Sequence, residues 1–80
     1  MTIAEATVKR LLELCSERNI TINKISNISG ITQSTVSDIV NGTTTNTGIV
    51  TIKKLCDGLE ITLGQFFSTK EFDELEQEIK

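Results

Sequence analysis

Apolar residues recur along this 80-residue chain at spacings of three and four, a period that predicts helices rather than strands. Ile3, Val8, Leu11, Leu12 and Cys15 share one helical face. They follow Thr2-x-x-Glu5, a pattern in which each side chain bonds the other residue's backbone N–H, so a first helix is expected from Ile3 to Arg18, closed at Asn19. Ile25, Ile28, Ile31, Val36, Ile39 and Val40 place a stripe on the inner side of two short helices, Ile22 to Ser29 and Gln33 to Val40. Thr21 and Thr32 stand where an N-cap oxygen satisfies free N–H groups, Gly30 supplies the left-handed backbone of a tight turn, and Asn41-Gly42 stops the second helix. Gly42 to Gly48 contains no apolar anchor and reads as a surface loop. Ile49, Val50, Ile52, Leu55, Cys56 and Leu59 predict a fourth amphipathic helix, ended by Gly58, with Lys53 and Lys54 outside. Thr62-x-x-Gln65 leads a short fifth helix carrying Phe66 and Phe67. Ser68-x-x-Glu71 opens a sixth, whose stripe of Phe72, Leu75 and Ile79 either packs on its own domain, pairs with a second chain, or frays.

Two short helices across a tight turn are how a helix-turn-helix sets its second helix in the DNA major groove. The outer face here, Gln33, Ser34, Thr35, Ser37 and Asp38, is short, polar and rich in hydrogen-bonding groups. Charge complicates that reading, because the formal net charge is −3 and DNA-binding surfaces are usually basic. Its location softens the objection. Residues 1–69 hold six basic and six acidic side chains, whereas residues 70–80 carry Glu71, Asp73, Glu74, Glu76 and Glu78 against Lys70 and Lys80. The chain therefore divides into a neutral helix-turn-helix domain, 1–69, and an acidic C-terminal helix or tail, 70–80. A tail placed away from DNA lowers non-specific affinity without abolishing binding.

With no histidine and two cysteines, a zinc site would need carboxylates to complete it, and the spacing of Cys15 and Cys56 matches no ligand motif. Both are expected to be small buried apolar residues, with a regulatory thiol pair as the alternative. Catalysis is not expected: no phosphate-gripping glycine motif and no cysteine with a paired base is present. Nor is a cofactor or a metal, nor a small-molecule ligand, since a core of this size leaves little space for a pocket of about 300 Å³; a membrane partner is not expected because no run approaches the roughly 18 apolar residues of a span. A small core makes a homodimer the default, and the expected location is the cytoplasm.

Over roughly residues 4 to 68 the chain resembles the Cro and lambda-repressor type of helix-turn-helix regulator. The resemblance is carried by Ile25, the run Ile28-Ser29-Gly30-Ile31-Thr32-Gln33-Ser34-Thr35-Val36-Ser37, Ile39, Asn41-Gly42, Thr51 to Leu59, and the closing Leu63-Gly64-Gln65-Phe66-Phe67. It implies an all-α, compact five-helix DNA-binding domain with the sixth helix or tail appended, and a dimeric transcriptional regulator of palindromic operators in double-stranded DNA. By position, the resemblance assigns Gln33, Ser34, Thr35 and Ser37 to base edges and nearby phosphates. Gln33 is the first choice for readout, since an amide both donates and accepts, as adenine N6 and N7 require. Thr32, Asn41 and Thr43 match positions at the sugar-phosphate backbone.

Two residues depart from the family pattern. Ser26 stands where alanine is common and must find a partner, such as a carbonyl one turn earlier. Asp38 stands where relatives carry a long polar residue; it either specifies by exclusion or lies off the DNA face. Structural alternatives accompany the other assignments: Thr32 as a helix cap, Ser37 bonded to its own helix, the loop threonines as solvated linker, Lys53 and Lys54 as a wet helix face. The functional expectation is a sequence-specific regulator, most simply a repressor. The alternative, prompted by the acidic tail, is an antitoxin or protein-interaction module with weak or partner-dependent DNA binding.

Overall fold

The computed structural model describes residues 1–79, so Lys80, the last residue of the expected sixth helix, lies outside the described residues. Six helices follow in order: α1 (Ile3–Glu17), α2 (Ile22–Ser29), α3 (Gln33–Val40), α4 (Ile49–Leu59), α5 (Leu63–Phe67) and α6 (Lys70–Asp73), with no strand among the described residues. No helix among them is long and apolar enough to cross a membrane. The Thr2/Glu5 box forms as expected: Glu5 N–H donates to Thr2 Oγ1 at 3.2 Å and Thr2 N–H to Glu5 Oε1 at 2.8 Å. Thr62 and Gln65 repeat it at α5. Each box satisfies two N–H groups that a helix start otherwise leaves open.

The core gathers Leu11, Leu14 and Cys15 from α1, Ile25 from α2, Val36 and Ile39 from α3, Ile52, Leu55, Cys56 and Leu59 from α4, and Phe66 from α5. Both cysteines are buried free thiols, and burial pushes both up from the usual thiol range. Ser26 finds the carbonyl expected of it, donating to Asn23 O at 2.8 Å.

Four expectations change. Gly58 does not end α4; it lies inside the helix, and Glu60 closes it in the left-handed region at φ 59°. Gly58 is there because α2 passes too close for a side chain: an added Cβ would lie 3.1 Å from both the carbonyl carbon and oxygen of Ile28, and against Ser29 Oγ. Ile28 is 39% exposed, and Ile49 and Val50, at 63% and 66%, leave the α4 stripe for solvent. Ile49 and Val50 occupy the first turn of α4. Ile3 and Leu12 are likewise exposed on α1.

The C-terminal segment is the fourth change. Its helix is a single turn capped at Thr69 rather than Ser68, without a side-chain cap bond. It folds back on its own chain. Phe72 stacks edge-on against Phe67, ring centroids 4.9 Å apart, and Phe67 against Phe66 at 5.0 Å. Glu71 pairs with Lys9, and Glu76 with the Met1 amine at 3.0 Å. Leu75 is half-buried, while Ile79 stands 87% exposed, so the expected three-residue stripe is not continuous. Arg10 ties the same region to α1, donating through Nε to Phe66 O at 2.7 Å and through Nη2 to Gln65 O at 2.8 Å, a cation placed on the carbonyl end of α5.

Candidate nucleic-acid interface

The turn between α2 and α3 is built from backbone geometry. Gly30 adopts φ 68° and ψ 30°, and its N–H returns to Ser26 O. Ile31 N–H follows to the same carbonyl at 3.2 Å. A residue with a Cβ resists that left-handed conformation. Thr32 then caps α3, its Oγ1 accepting from Thr35 N–H at 3.2 Å. The same oxygen lies 2.8 Å from Thr35 Oγ1 and 3.2 Å from Ser34 Oγ. Three hydroxyls therefore cluster at the start of the second helix, and Thr32 serves as the cap that the sequence also allowed.

Val36 and Ile39 anchor the buried side of α3. Gln33, Ser34, Asp38 and Asn41 are exposed, and Ser37 and Thr35 are half-buried. At about 100° per residue, Ser34, Ser37, Asp38 and Asn41 share the outward half of the helix, with Gln33 at its edge; Thr35 falls beyond it toward the flank and is held by Thr32. The structure thus brings five of the sequence-derived residues onto one face and sets Thr32 and Thr35 at its N-terminal edge. Asn41 closes α3, Gly42 turns left-handed at φ 73°, and Asp38 O accepts from Thr43 N–H at 2.9 Å and Thr44 N–H at 3.2 Å. Those two bonds fold the start of the loop under α3, so exposed Thr43 lies close to the end of the polar face.

Electrostatically the interface is nearly blank. Between Lys24 and Lys53 the single charged side chain is Asp38. No acid stands in the first turn of α2, α3 or α4, so the partial positive charge of those helix starts is not cancelled locally. Gly48 caps α4 with no side-chain bond, leaving first-turn N–H groups there open to an outside acceptor. Sequence reading did not single out this position; a glycine directly before an apolar helical run was the available signal. Lys24 and Lys54 have no ion-pair partner among the described residues, whereas Lys53 is held by Asp57 one turn on. A cavity of about 210 Å³ between α1 and the loop from Thr44 to Thr47 is smaller than the roughly 300 Å³ at which ligand pockets usually begin. The described residues hold no group of three metal-ligating side chains.

A glycine turn between two short helices, with a solvent-facing polar stripe on the second, defines a helix-turn-helix DNA-binding domain. Residues 3–71 match the Cro/C1-type HTH DNA-binding domain, and the chain belongs to that family. Among solved structures it is similar to prophage Lp1 protein 11, with 33% identity over 94% of this chain and 99% of that one, and a TM-score of 0.82. No curated protein matches it. The chain is accordingly an all-helical, DNA-binding transcription regulator.

Proposed function

We propose that the protein represses transcription by covering a palindromic operator as a homodimer in the cytoplasm, reading each half-site with the outer face of α3. The observation that carries the reading is the continuous hydrogen-bonding stripe of Gln33, Ser34, Ser37, Asp38 and Asn41, kept free of apolar residues while the opposite side of the same helix is fully buried. Gln33 pairs with adenine, and Ser34, Thr35 and Ser37 meet neighbouring base edges and phosphates. Thr32, Asn41 and Thr43 hold the sugar-phosphate backbone. Residues 1–69 form the binding domain, and residues 70–80 the acidic appendage.

A protomer measures 37 × 24 × 20 Å. Two such bodies in contact can set their recognition helices the roughly 34 Å apart that successive major grooves require. The interaction-module reading has less support, because Glu71 and Glu76, which would attract a cationic partner, are engaged by Lys9 and the N-terminal amine of their own chain.

Selection of bound duplexes from a random pool at near-physiological salt tests the proposal. An enriched palindrome is expected, with Gln33→Ala relaxing one base pair per half-site by about 1–3 kcal/mol. A folded protein that enriches no sequence would overturn it.

A further inference from the structure

We propose that Asp38 selects cytosine in the operator half-site, through the N4 amino group; the inference deepens the operator reading above and rests on it. Its ground is the contrast between Asp38 and everything around it. Gln33, Ser34, Ser37 and Asn41 all carry groups that donate and accept, so each can turn to suit more than one base edge. Asp38 only accepts. It is exposed, makes no ion pair or side-chain hydrogen bond among the described residues, and is the sole charge between Lys24 and Lys53.

Its place on the helix is fixed. Val36 and Ile39 define the buried direction, and at about 100° per residue Asp38 points roughly 50° from the direction directly opposite them. It lies in one row with Ser34, a single turn earlier. Its own carbonyl is tied to Thr43 and Thr44 N–H, which locks the last turn of α3 against the loop. A carboxylate carried on that turn enters the groove between two rows of phosphates with no cation from its own helix to offset it. The arrangement is tolerable only where the DNA offers a hydrogen atom.

Two major-groove groups do so, cytosine N4 and adenine N6. Adenine N6 stands beside the N7 acceptor of the same base, which repels a carboxylate; cytosine N4 stands beside a C–H. Guanine and thymine present acceptors, O6 and N7 or O4. The expected order is therefore cytosine first, adenine well behind, guanine and thymine last. The cytosine falls about 6 Å along the helix axis from the base met by Ser34, or about two base-pair steps. Asparagine at the same position would offer the donor and acceptor pair that adenine matches.

The test compares wild-type protein, Asp38→Asn and Asp38→Ala. Each is taken through duplex selection, then titrated by fluorescence anisotropy against the enriched duplex carrying each of the four bases at every half-site position. Wild type should show one position where cytosine is preferred by about 5- to 150-fold. Asp38→Asn should move that preference to adenine, and Asp38→Ala should flatten it, with the other positions unchanged in both. If both variants keep the wild-type motif and merely bind every duplex more tightly, Asp38 is an electrostatic brake and the proposal fails while operator recognition stands. If wild type enriches no motif, both readings fail together. The four-base titration of wild type needs no variant to fold: absence of any cytosine-preferring position is by itself sufficient to overturn the assignment.

Discussion

Gly58→Ala puts a methyl group into the closest approach between α2, the first helix of the DNA-binding motif, and α4. The new Cβ would stand 3.1 Å from the Ile28 carbonyl carbon and oxygen and closer still to Ser29 Oγ. Backbone atoms cannot rotate away, so α2 must shift by a few tenths of an ångström. Against this, alanine inside a helix gains about 1 kcal/mol over glycine. Overpacking of a tight contact costs about 1–3 kcal/mol, and the net expectation is a loss of roughly 1 kcal/mol, or about 4–8 °C in Tm for a domain of this size.

The buried Ser29 Oγ has no hydrogen-bond partner among the described residues. An orphaned hydroxyl carries a desolvation cost of about 1–3 kcal/mol, so Ser29→Ala should be neutral or stabilising by about 1 kcal/mol. It also removes the nearer of the two obstacles to a Cβ at position 58. In the Ser29→Ala background, Gly58→Ala should cost less by about 0.5–1 kcal/mol, a coupling in the range expected of touching residues. Urea denaturation of the two single variants and the double variant measures all three quantities. Stabilisation by Gly58→Ala alone at the full helix-propensity value would show that the two helices are not pinned at this point, and additive single effects would show that Ser29 Oγ is not the obstacle.

Two further outcomes follow from charge. With Lys24 and Lys54 as the cations near the motif that lack an ion-pair partner among the described residues, a dimer placing all four on phosphates has a slope of log affinity against log salt of about −3.6 or shallower. Operator binding should fall by no more than about 150-fold between 50 and 200 mM salt, and a loss of 10³-fold or more would mean that other basic residues reach the backbone. Glu71 is held below the usual carboxylate range, first by its bond to Lys9, and Glu5 by its bonds to Thr2. Depressed carboxylates contribute stability above the unfolded value, about pH 4.3, and lose it as pH falls through the folded one. Thermal melts should therefore drop below about pH 4, by less in Glu71→Gln, and an identical profile in that variant would remove the Lys9 contact from the account.

Where side-chain chemistry decides the local backbone, the sequence was legible. Thr2, Thr21, Thr32 and Thr62 each cap a helix whose start they marked, and Gly30 and Asn41-Gly42 bracket α3 as their types require. What stayed hidden depends on packing partners that periodicity cannot supply. Gly58 reads as a terminator because glycine commonly ends helices; only the passage of α2 at van der Waals distance explains it inside one. Ile28, Ile49 and Val50 have the right spacing for a core face but sit near helix ends and stay exposed. Ser68 matches a capping box, yet Thr69 takes the place, in a turn whose Phe72 packs on Phe67 at 4.9 Å. The polar face of α3 was readable because its complement, Val36 and Ile39, is buried; which base each group meets is not a property of the chain alone.

An interface poor in cations divides its tasks differently from a basic one. Non-specific affinity for DNA comes almost wholly from counterion release, and between Lys24 and Lys53 this chain has no cation to drive it. Neutral donors at helix starts and the hydroxyls of Thr32 and Thr43 can hold phosphates, but they release no counterions. Asp38 and the net charge of −3 oppose approach to arbitrary sequence. On the proposed reading, binding then depends on the base contacts of both half-sites being made together, since neither backbone charge nor a single half-site supplies enough. The ratio of specific to non-specific affinity, rather than affinity itself, is what such a surface raises. A dimer of this kind leaves bulk DNA largely unoccupied and responds steeply to protein concentration, because losing either protomer removes half of the contacts that distinguish the operator from everything else.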